Sequence, residues 1–149
     1  MTATADTPRW ISAILAWPGL LAIARVALVS AFLIGGIQKL ADFPAAVAEQ
    51  AHFGLQPAWL WAVAAIVVEL GGSVVVIIGR WVWLGAGSLG VLTAISMLVA
   101  NNFWALAGHD RFMATNAFFE HLGLIAGLVL ISILSQRQER THPGNEEIE

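Results

Sequence analysis

The order of apolar and polar positions divides the chain into four long apolar runs separated by short breaks. A helix that crosses a bilayer needs about 20 mostly apolar residues. Residues 20–40, 57–79, 83–106 and 115–135 each meet that requirement. Arg25 interrupts the first run and Glu69 the second; the third has no charge but holds Asn101 and Asn102; the fourth carries Glu120 and His121 near its start. The pattern predicts an all-α protein, a transmembrane four-helix bundle. Residues 1–19 then form an N-terminal tail and an interfacial lead-in broken at Pro18, residues 20–135 the membrane domain, and residues 136–149 a polar, mobile tail. The stretch 41–56 is expected to form a short surface helix. The segment from Arg9 to Ala24 has the basic start, apolar core and small-residue ending of a signal peptide. Cleavage there would leave the first run too short to span, so an uncleaved N-terminus is expected.

Within a bilayer, helices associate through close backbone contact at small residues, since burying apolar side chains from apolar lipid gains little. In the second run Ala58, Ala62, Ala65, Glu69, Gly72, Ser73 and Val76 fall on one face at three- and four-residue spacing. Gly87, Gly90, Ala94, Met97 and Asn101 do so in the third, and Asn116, Glu120, Gly123 and Gly127 in the fourth. In the first, Arg25, Phe32, Gly36 and Lys39 share a face. Each of these stripes is expected to face the bundle interior.

Composition agrees with a membrane chain. Of 149 residues 58% are hydrophobic and 11% charged, against roughly 25% charged in soluble domains; mean hydropathy is +0.78. The absence of cysteine excludes disulfides, cysteine-ligated metals and a dithiol relay. Seven basic residues and a net charge of −3 exclude a nucleic-acid surface. Basic residues mark the cytoplasmic side. The N-tail, the turn at Arg80 and the C-tail hold Arg9, Arg80, Arg137 and Arg140, whereas the opposite side holds Lys39 and Arg111. Both termini are therefore expected in the cytoplasm. Trp59, Trp61, Trp81, Trp83 and Trp104 lie near span ends, where indoles prefer to sit.

Charges deep in a membrane are expensive unless paired or hydrated. With the span ends taken as level, Lys39, Asn101, Glu120 and His121 share one layer near the outer ends, and Glu69 lies deeper. Arg25 approaches Glu69 from the opposite side, so Arg25 and Glu69 are the expected buried pair, and Lys39 is expected to fall short of Glu69. Only His121 among the four histidines lies inside a span, so two facing imidazoles for a haem are not expected, nor is a metal site.

The spacing of Arg25, Gly36 and Lys39, together with "ELGGSVVVIIGR" at residues 69–80, resembles the DoxX family of membrane proteins. The likeness covers about residues 24–134. The family usually carries a basic–amide pair where this chain has Glu120 and His121. The resemblance implies a four-span, multi-pass protein of the bacterial inner membrane. It also points towards respiratory quinones and redox-stress enzymes as partners. Three function classes follow. A quinone-interacting subunit of a redox complex would use Lys39 and Asn101 as donors, Glu120 as proton acceptor and His121 as relay. A non-enzymatic anchor or scaffold for a peripheral enzyme would use the small-residue faces, in contact with lipid, a partner subunit or a second copy. A small transporter would use Arg25 and Glu69. No covalent or metal cofactor is expected.

Overall fold

The computed structural model describes residues 7–141. Among the described residues six α-helices follow one another: α1 (Arg9–Leu15), α2 (Pro18–Ala41), α3 (Phe43–His52), α4 (Ala58–Ile78), α5 (Val82–Ala100) and α6 (Gly108–Thr141), with a 3₁₀ turn at Phe103–Ala105. Four of them are long and apolar enough to cross a membrane: α2, α4, α5 with its 3₁₀ extension, and α6. The lead-in is α1, and Pro18 starts α2 where its missing N–H is no loss. The polar tail begins later than expected, because α6 continues through Gln136 to Thr141; residues 142–149 of that predicted tail lie outside the described residues. The helix α6 also starts early, so His109, Asp110 and Arg111 sit on its first turn.

Neighbours in sequence are neighbours in space: α2 packs on α4, α4 on α5, and α5 on α6, with a slighter contact closing α6 onto α2. Because the four spans alternate in direction, one face of the bundle gathers α1, the α4–α5 turn and the end of α6. This is called here the terminal face. The other, the α3 face, gathers α3, the 3₁₀ turn and the start of α6. The bundle closes tightly near the terminal face. There Val29, Phe32, Val76, Val82, Ala86, Leu89, Leu128 and Ile131 form one buried cluster. Arg25 donates to Ser135 Oγ at 3.0 Å, tying α2 to α6. Gly79 ends α4 with φ +80°, and the Arg25 guanidinium lies over it, in space any side chain would occupy.

The face expected for α4 is buried as expected, from Ala58 to Val76. On α5 the expectation is corrected. Its buried stripe is Gly85, Ala86, Leu89, Thr93 and Met97, while Gly87 is exposed and Gly90 and Ala94 are half-buried. The reason is the α4–α5 crossing: a Cβ on Gly85 would lie 2.7 Å from the carbonyl oxygen of Gly72. Two backbones meet at that point, which turns the other glycines outward. On α6, Asn116, Glu120 and Gly123 are also exposed; of the two glycines in the predicted stripe, Gly127 meets a neighbour, Leu28, and Gly123 meets none within 4 Å.

Candidate functional site: a charged pair at the wall of an apolar groove

Span ends are not level, and this decides which charges meet. Gly36 of α2 abuts Glu69 and Leu70 of α4. Above that level α2 continues five residues to Ala41, while α4 extends twelve back to Ala58. At about 1.5 Å per residue, α4 overtops α2 by about 10 Å towards the α3 face. The helix α3 fills this step, packed on both α4 and α2. Asp42 caps it, its carboxylate accepting from the Ala45 N–H at 3.1 Å.

Lys39 therefore lies about one turn above Glu69 rather than far beyond it. A helical side chain leans towards its own N-terminus, so Lys39 runs back along α2, over the bare backbone of Gly35. Its ammonium donates to both Glu69 oxygens, at 2.9 and 3.2 Å. A Cβ at Gly35 would touch Glu69 Oε2 at 3.4 Å and Lys39 Nζ at 3.5 Å, so the glycine leaves the floor clear beneath the pair. This overturns the expected Arg25–Glu69 pairing: Arg25 serves Ser135 near the terminal face, and Lys39 takes Glu69. Both partners are largely sheltered, with side chains 20% and 11% exposed.

The pair forms part of the wall of a groove of about 630 Å³ between α3, α4 and α5. Lys39, Glu49, Gln50 and Glu69 supply its charged and amide groups, near the α3 face, and Ser96 adds a hydroxyl from α5. From there it runs along α5 as an apolar slot past Ile95, Val91 and Leu84 to Trp83. Ser88 borders it too, but its hydroxyl donates to the Gly85 carbonyl of its own helix at 2.9 Å. Lys39 is the one cation among the lining residues, facing two acids.

The other residues expected to share a layer with Lys39 do not border this groove. Asn101 ends α5, where its carbonyl accepts from the Phe103 N–H at 2.8 Å, and Asn102 likewise shapes the following turn through its main chain. Glu120 is exposed on α6. His121 is half-buried, and its Nδ1 donates to the Ala117 carbonyl of the same helix. The helix α6 packs chiefly on α5, and none of its residues lines the groove. Among the described residues no group of three or more metal-ligating side chains occurs. Sequence reasoning had placed Glu69 too deep for Lys39 and missed Glu49 and Gln50 altogether. The available signal was the glycine one turn before a lysine near a helix end.

Known proteins place the chain independently. The family model of DoxX matches residues 20–102, which run from the third residue of α2 past the end of α5, hold every residue lining the groove and leave out Glu120 and His121. The inner membrane protein YphA of Escherichia coli (strain K12) is 25% identical over 128 residues, covering 86% of this chain and 91% of that one. No solved structure matches. With more than half its length matched, its four helices of membrane-crossing length and an inner-membrane relative along nearly the whole chain, the protein is a member of the DoxX family and a multi-pass protein of the bacterial inner membrane.

Proposed function

We propose that the protein is a membrane subunit that binds a quinone in the α3–α4–α5 groove, with the ring held at Lys39 and Glu69 and the tail along α5. The observation that carries this reading is the Lys39–Glu69 pair standing at the wall of an otherwise apolar slot. A quinone ring offers two oxygens that accept hydrogen bonds, and its reduction takes up protons; an ammonium and a carboxyl side by side meet both needs. Size supports the same reading. The groove lies within the range of about 300–1,000 Å³ typical of small-molecule sites. Its α5 lining spans Trp83 to Ala100, about 25 Å at 1.5 Å per residue. Termini in the cytoplasm complete the proposal, supported by Arg9, Arg80 and Arg137 on the terminal face. The ring would then sit in the half of the bilayer away from the cytoplasm.

The test is quinone content after purification in mild detergent. Wild-type protein is expected to retain close to one quinone per chain and Glu69→Gln markedly less. Equal content in both, or none in either, would overturn the reading. A second reading, an anchor for a partner protein, draws on a second groove of about 540 Å³ between α5 and α6, which Gly87, Gly90 and Ala94 leave open. Small residues on an exposed helix face suit close approach by another helix. A partner cross-linked through Gly90→Cys but not through loop cysteines would favour it.

A further inference from the structure

The groove holds a second carboxylate. Glu49 on α3 borders it with Gln50, as Lys39 and Glu69 do. Glu69 is buried in mid-helix, whereas Glu49 is exposed on the α3 face. Glu49 is close enough for its charge to act on Glu69. Few other charges bear on Glu69: Lys39 comes from α2 and Glu49 from α3, while every groove-lining residue of α5 is uncharged. A buried water needs two to four polar partners, and Lys39, Glu49, Gln50 and Glu69 supply them where both acids border the cavity, so a proton can pass between the acids through water there.

We propose that Glu49 is the proton-exchange residue of this site, linking Glu69 to the aqueous phase on the α3 face. The inference rests on the quinone reading of the groove. A proton released at the ring passes to the Glu69 carboxylate, from that carboxyl to the Glu49 carboxylate, and from Glu49 to bulk water. Both acids return to their starting state, and no electron is involved in the transfer. Uptake runs the same steps in reverse. Glu49 need not touch the ligand, because it acts through Glu69. Towards the terminal face the groove continues along α5 to Trp83 between walls that carry no ionisable side chain, so no proton-exchanging residue lies in that direction. Glu69 therefore equilibrates with the α3 face and not with the terminal face.

The experiment uses full-length protein in vesicles of one orientation. Dicyclohexylcarbodiimide, which partitions into membranes and attacks protonated carboxyls, reports on Glu69 through the mass of its peptide. Acidifying the α3 face is expected to raise labelling of Glu69, and acidifying the terminal face to leave it unchanged. Glu49→Gln lowers the initial labelling several-fold after the acid jump, and Glu49→Asp restores it. Labelling that follows the terminal face, or a Glu49→Gln response equal to wild type, would overturn the proposal. The same preparations are titrated with a short-chain benzoquinone, read as quenching of the groove tryptophans Trp61 and Trp83. Absent quenching would sink the quinone reading while the labelling still decides the role of Glu49. Quenching with unaltered labelling in Glu49→Gln would keep the quinone site and remove Glu49 from it.

Discussion

Lys39 and Glu69 contribute unequally to the stability of the bundle, and the structure fixes which loss is larger. Lys39→Met leaves Glu69 and Glu49 on the groove with no lining cation. Removing one partner of a buried pair costs about 3–5 kcal/mol when the other stays charged. Here the loss is capped, because Glu69 can take up a proton instead. For an ordinary carboxyl at neutral pH that uptake costs about 3.5 kcal/mol, at 1.36 kcal/mol per pH unit. A loss of about 3 kcal/mol is therefore expected. Glu69→Gln is milder: the amide oxygen still accepts from Lys39 Nζ, and Lys39 keeps Glu49 on the same groove, so a loss of about 1 kcal/mol is expected. The difference of about 2 kcal/mol is close to a thirty-fold ratio in the folded-to-unfolded equilibrium, at 1.4 kcal/mol per tenfold. Reversible unfolding in mixed detergent micelles measures both variants. The double variant Lys39→Met/Glu69→Gln should recover most of the Lys39→Met loss, since no carboxylate remains at position 69. Equal losses for the two single variants, or both below about 0.5 kcal/mol as for a solvent-exposed pair, would refute the reasoning.

Further expectations concern the glycines and the acid on α6. Gly85→Ala sets a methyl against the Gly72 carbonyl and should lose about 1–3 kcal/mol in the same assay. Gly87→Ala, two residues on, meets nothing within 4 Å and should be neutral or gain up to about 1 kcal/mol from helix propensity; a matched response at the two sites would show that the α4–α5 crossing is elsewhere. Gly87→Phe extends a ring from that open position into the slot, so it should fold like the wild type yet lose bound quinone on extraction. Glu120→Gln, on the exposed face of α6, should retain the wild-type quinone content; a loss would mean that α6 approaches the groove as the sequence alone suggested.

The sequence reveals most where physics acts locally. Four spans follow from apolar length, and the interior face of α4 follows from small residues at helical spacing, all of them buried as read. The same rule failed on α5, whose glycines form two stripes. Only a backbone contact, Gly85 on Gly72, selects the one that packs. The charged pair failed for a different reason: it depends on the axial offset between helices. Level ends put Lys39 and Glu69 too far apart. An offset of about 10 Å, filled by α3, brings them together and places Glu49 above them. A trace of this is nevertheless written in the chain. Gly35 stands four residues before Lys39, on the side towards which a helical lysine leans. A lysine that reached outward to the headgroups would gain nothing from a glycine beneath it. One that folds back to an acid on the next helix passes within van der Waals contact of position 35, its Nζ 3.5 Å from where a Cβ would stand, so a large side chain there would press on the pair. The glycine one turn before the lysine is thus the local mark of a long-range pair, and it locates the polar end of the groove before any packing is known.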